Sequence, residues 1–118
     1  MIKIKRAYDK PETGDGRRIL IDRLWPRGVA KAGAGIDEWL KDLGPTTELR
    51  RWFGHEPAKW AEFRQRYLAE LASADKKTLL EQIARIARQS TVTLVYAARD
   101  TEHNNARVLA DLIVTLMK

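Results

Sequence analysis

The 118-residue chain contains no cysteine. Disulfides, thiolate nucleophiles and cysteine-ligated zinc are therefore excluded. Histidine occurs twice, at His55 and His103, and the two are far apart in sequence. A structural metal needs three or four suitable ligands, so none is expected. No apolar run approaches the roughly 18 residues of a membrane span. The N-terminus, Met1-Ile2-Lys3-Ile4-Lys5-Arg6, alternates apolar and basic residues and lacks the continuous apolar centre of a secretion signal. No Gly-x-Gly-x-x-Gly, Walker loop or serine elbow is present, so no cofactor is expected. Repeats, low-complexity segments and linkers are missing too. These absences point to one cytoplasmic domain spanning residues 1–118, without a membrane partner. Nothing in the sequence sets an oligomeric state.

What is present is an ordinary globular composition, 44% hydrophobic and 32% charged. The net charge is +6. Most of that excess lies in the first 28 residues, which hold eight Lys or Arg against four acids. A local positive field favours anionic partners: phosphates, nucleic acid or small carboxylates.

Periodicity predicts an α/β fold: a small three-stranded, at least partly parallel sheet packed with about five helices. Strands are expected at Ile2–Ala7, Arg18–Leu24 and Thr91–Ala97. Helices are expected over Ile36–Leu43, from Thr46 or Thr47 to about Phe53, over Pro57–Ala72, Lys76–Arg88 and Glu102–Met117. Trp60, Phe63, Tyr67 and Leu71 form one apolar stripe. The second and third strands, joined through helices, are predicted to be parallel. The first link is about ten residues, near the lower limit for a parallel crossover, and so leaves a hairpin open.

In an open α/β sheet, ligands bind beyond the carboxyl ends of parallel strands. The second strand delivers Asp22, Arg23, Trp25 and Arg27 to that edge. The third delivers Arg99, Asp100, His103 and Asn104. Tyr8 and Asp9 join them if the first strand is also parallel. Arginine grips phosphate or carboxylate through paired N–H donors. Asp100 and His103 are acid–base candidates. Trp25 can stack on a base or close a pocket. Plainer roles compete. Asp22 and Arg23 can form an ion pair, Asp100 can cap the last helix, and Asn104 can tie down a loop. A second candidate is Arg50, Arg51 and Trp52, a mixture that suits nucleic acid. Aromatics there are also ordinary core residues, and His55 sits at a break between helices.

Several segments together resemble a known family. They are Arg6-Ala7-Tyr8-Asp9, Asp15 through Gly28, Trp39, Leu49-Arg50-Arg51-Trp52-Phe53-Gly54-His55 and Trp60 through Tyr67. Thr93 through Asp100 and His103-Asn104-Asn105-Ala106 complete the set. By these marks the chain resembles the YeaO-like branch of the domain of unknown function 488 family, small bacterial proteins, nearly end to end. The resemblance implies a small α/β fold with strand-end loops facing one side, and it carries no established activity. Other branches place a cysteine-histidine-arginine element after the last strand. Here Asp100 to Asn104 stand there, so their thiol chemistry is excluded. Some members are labelled transcriptional regulators, but no helix-turn-helix with a basic recognition helix stands out. The leading expectation is a small anionic ligand bound at the strand ends, with an enzyme acting on it as one form of that reading. The alternatives are a nucleic-acid or regulatory module, or a protein-interaction module using exposed tryptophans.

Overall fold

The computed structural model describes residues 1–118. The strands are β1 (Ile2–Arg6), β2 (Arg17–Leu20), β3 (Glu38–Trp39) and β4 (Val92–Tyr96). The α-helices are α1 (Thr47–Phe53), α2 (Trp60–Glu70), α3 (Ala74–Ala87) and α4 (Asn105–Met117). The strands form one sheet in the order β1-β4-β2-β3, and every pairing is parallel. The sheet thus has four strands rather than three, and there are four α-helices rather than about five. β4 lies between β1 and β2, so the short first link joins strands that are not neighbours and no hairpin forms.

The register assigns the two faces. Ile4, Leu94 and Ile19 stand side by side, as do Lys3, Thr93 and Arg18. Alternation then puts Ile19, Ile21, Val92, Leu94 and Tyr96 on the face that joins the helical core. Leu49, Phe53, Phe63, Tyr67, Leu80, Ile83, Leu109 and Ile113 complete that core. Phe63, Tyr67 and Leu71 of the α2 stripe are buried, and Trp60 is half-buried against them. The other face is covered by irregular chain instead. Thr93 Oγ1 donates to Asp15 O at 2.6 Å, and Arg18 donates to Gly35 O and Ala34 O. Gly16, at φ 62°, makes this approach: a Cβ there would come within 2.2 Å of Thr91 O.

The departures from expectation have local causes. Residues Ile36–Leu43 have helical apolar spacing, yet they form β3 and a single 3-10 turn, Lys41–Leu43. The open edge of β2 draws them into the sheet. Asp37 N donates to Arg18 O, Leu40 N to Leu20 O, and Arg18 N to Asp37 Oδ2. β2 ends at Leu20, not Leu24, because Asp22 takes the Ala97 N–H with its side chain, at 2.9 Å. Pro57–Lys59 is 3-10 rather than α. α4 starts at Asn105 rather than Glu102, because Asp100 Oδ1 binds the N–H groups of Glu102 and His103 in a separate turn. Thr46 caps α1, accepting from Leu49 N at 3.2 Å.

Candidate functional site

Parallel pairing places the carboxyl ends of β1, β2 and β4 on one edge of the sheet. Three stretches of chain leave from there: Ala7-Tyr8, Asp22 to Arg27, and Ala97 to Asn105. Opposite them stand Pro45, Arg50 and Phe53 at α1, His55 beyond it, and Phe63 of α2. Between the two walls is a cleft of about 800 Å³. Asp22, Arg23, Trp25, Arg27, Asp100, His103 and Asn104 all line it. Arg50, His55, Arg99 and Asn105 line it as well, while Arg51 and Trp52 do not.

Much of this lining is already engaged. Asp22 Oδ1 accepts from Asn105 Nδ2 at 2.8 Å, and Asp22 O accepts from Trp39 Nε1 at 2.7 Å. Burial pushes the Asp22 carboxyl above its ordinary value of 3.8, opposed by the Asn105 and Ala97 hydrogen bonds and by the Arg50 charge. Arg23 makes no ion pair with Asp22. Its Nε donates to Pro45 O at 2.9 Å, and its Nη1 lies 4.0 Å from Asp42. Trp25 Nε1 donates to Val29 O at 2.6 Å, and its ring meets Trp39 edge-on at 5.5 Å. Trp25 is therefore held in the wall by its own loop. Tyr8 OH donates to Arg27 O at 2.9 Å and ties that loop to the end of β1.

Asp100 does not cap α4. Asn104 does, accepting from Arg107 N at 3.0 Å while its Nδ2 donates to Asp100 O. The Asp100 carboxylate is held at about 2 by the Glu102 and His103 backbone N–H groups, and then by the His103 ring. His103 Nδ1 lies 2.9 Å from Asp100 Oδ2, and Trp60 meets the ring edge-on at 5.3 Å. With Nδ1–H donated to the carboxylate, Nε2 is left as the nitrogen that can accept a proton.

Three arginines remain free. The guanidinium groups of Arg27, Arg50 and Arg99 make no hydrogen bond and no ion pair within the protein, although each lines the cleft. They come from three separate segments: the β2 loop, α1 and the β4 loop. Arg27 is legible from the strand-end pattern, as is Arg99. Arg50 is not, because its neighbours in sequence go elsewhere. Trp52 lies under Lys59 at 5.1 Å and Arg66 at 4.3 Å, which occupies its ring. Asn105 lies in the His103–Ala106 segment that carries the family resemblance, but no local pattern marks it as the partner of Asp22. The structure holds no group of three His, Cys, Asp or Glu residues placed to bind a metal ion. No helix is long and apolar enough to cross a membrane.

Comparison with known proteins gives a consistent result. The profile of the family described as the inactive DUF488-N3 subclade matches residues 1–118. The chain is 47% identical to the uncharacterised protein YeaO of Escherichia coli over 115 residues, 98% of each chain. It is 36% identical to the uncharacterised protein Rv3073c of Mycobacterium tuberculosis over 112 residues, 95% of this chain and 92% of that one. The uncharacterised protein Mb3100c of Mycobacterium bovis matches to the same extent. No solved structure matches.

Proposed function

The chain belongs to the YeaO-like branch of the DUF488 family, in its inactive DUF488-N3 subclade, and from that premise we propose that it binds a small anion in the strand-end cleft. One observation carries the reading. Arg27, Arg50 and Arg99 line a single concavity and none of them has an internal partner. Asp22 and Asp100 line the same cleft but form no ion pair with any of the three, and the cations outnumber them, so the mutual repulsion of the arginines adds nothing to the fold. An anion supplies the missing charge and accepts the paired N–H donors. The subclade's description as inactive supports a protein that works by binding rather than turnover.

The test is calorimetric titration of phosphate and sulfate into the wild type and Arg27→Ala. One saturable site is expected, weakened by the substitution and by added salt. Equal, negligible binding by both proteins would end the proposal. Salt-steep binding of a short duplex, lost on Arg51→Ala, would replace it with the nucleic-acid reading.

A second reading rests on the Asp100–His103 pair, which has the geometry of an oriented acid–base group beside the cleft. Its signature is turnover of a bound ester that His103→Gln abolishes while binding persists.

A further inference from the structure

An anion site with a carboxylate in its wall poses a problem. Asp22 lines the same cleft as four arginines, and none of them pairs with it. Its oxygens accept one bond each inside the protein, from Asn105 Nδ2 and Ala97 N. An ionised carboxylate offers about four acceptor positions, so about two remain. A bare anion would leave those positions empty and would be repelled by the same group. A ligand that carries O–H donors beside its anion satisfies both.

The balance of charge narrows the class. Arg23, Arg27, Arg50 and Arg99 outnumber Asp22 and Asp100 among the lining residues, which disfavours an ammonium as the donor. Hydroxyl groups carry no such penalty. The anion is narrowed too. A carboxylate is satisfied by one bidentate arginine, whereas three free guanidinium groups from three segments suit the several oxygens and double charge of a phosphomonoester. A volume of about 800 Å³ is far larger than inorganic phosphate requires and lies in the range of sites for whole small molecules.

Building on the anion-binding reading, we propose that the cleft takes a polyol or sugar phosphomonoester, with Arg27, Arg50 and Arg99 on the phosphate and Asp22 accepting from a ligand hydroxyl. Asn105 is then a positioning residue, which holds Asp22 Oδ1 so that the remaining acceptor positions stay directed to the cleft.

The experiment compares three probes by calorimetry on the full chain: sorbitol 6-phosphate, hexyl phosphate and inorganic phosphate. The two organic probes share a six-carbon chain and a phosphate, and differ in hydroxyl groups. Sorbitol 6-phosphate is expected to bind at least about tenfold more tightly than hexyl phosphate, because a site built to bond a hydroxyl rejects the analogue without it. In Asp22→Asn that gap should narrow, with the melting temperature checked on the same sample. The wild-type comparison stands alone should that variant fail to fold. Hexyl phosphate binding as tightly as sorbitol 6-phosphate, or more tightly, overturns the proposal. Binding of inorganic phosphate with no gain from either organic probe overturns it too, while leaving the anion reading intact. No binding of any probe removes both.

Discussion

Two groups of charges sit on this sheet, and they are built on opposite terms. On the loop-covered face, Asp15 is 1% exposed and Arg18 4% exposed. The Asp15 carboxylate accepts from Arg18 Nη1 at 2.6 Å, from Lys5 Nζ at 3.2 Å and from Glu12 N at 3.1 Å. Every charge there has a counter-charge, and no buried side-chain polar atom in the protein lacks a partner. At the carboxyl ends of the strands, Arg27, Arg50 and Arg99 make no hydrogen bond or ion pair, although Asp22 and Asp100 line the same cleft. Burying a charge is tolerable when it is paired and hydrogen-bonded. Leaving charges unpaired is tolerable where water or a ligand can reach them. The first group therefore reads as part of the fold, and the second as part of what the fold presents.

The largest expected effect breaks the first group. Asp15→Ala leaves the Arg18 guanidinium buried beneath the 34–35 segment without its counter-charge. Loss of a buried partner of this kind costs about 3–5 kcal/mol, to be read from the urea midpoint. A loss below about 1 kcal/mol would show that solvent reaches Arg18 and that the contrast between the two groups is false.

A middle-sized effect lies at the boundary. Asp22→Ala strips Ala97 N of its acceptor and leaves Asn105 Nδ2 with only the longer bond to Ile21 O at 3.4 Å. Unsatisfied buried donors cost about 1–3 kcal/mol. If chemical denaturation registers no change, Asp22 has no part in ending β2.

Acid separates the two carboxylates by sign. The Asp15 carboxyl is pushed up by burial, but the Glu12 N–H, Lys5 and Arg18 outweigh that and hold it at about 2. Its contribution to stability is whole above its ordinary value of 3.8 and is lost as the pH falls through about 2. Asp22 is displaced upward, so its ionised form opposes folding, and protonation relieves that opposition. Asp15→Asn should flatten the fall of stability between about pH 4 and pH 2, with Asp100 supplying the residual slope. Asp22→Asn should not flatten it. Identical acid profiles for the two variants would contradict this assignment.

The smallest effect belongs to the free arginines. Arg27→Ala, Arg50→Ala and Arg99→Ala should each change stability by no more than about 0.5 kcal/mol, as for exposed side chains without structural partners. Thermal denaturation without ligand measures this directly. A loss near that of Asp15→Ala would make them fold residues, and the cleft would lose its distinguishing feature.

The core strands and the α2 stripe were legible because they depend on local periodicity. Alternating or continuous apolar residues mark β1, β2 and β4, and the four-residue repeat from Trp60 to Leu71 marks α2. The polar strand ends were legible for the same reason: an apolar run stops and charged residues follow. Ile36–Leu43 misled because its helical spacing is real, while the unsatisfied edge of β2 is invisible in that segment. Asp15 was silent rather than misleading. In sequence it is one acid in a polar Gly-containing loop, and only the closure of that loop over Thr93 buries it.

Sequence alone determined the α/β class, the three main strands, and the placing of Asp22, Arg27, Asp100 and His103 just beyond strand ends. These follow from side-chain period and from chain breaks, which act over a few residues. The tertiary structure alone decided that β4 enters between β1 and β2, that β3 exists, and that Arg50 turns to the cleft while Trp52 is covered by Lys59 and Arg66. It also decided which charges are paired. Some partners are far apart in the chain, such as Lys5 with Asp15 at 3.2 Å and Asp22 with the Asn105 amide at 2.8 Å, and even the local pair of Asp15 and Arg18 is buried only because the loop closes over Thr93.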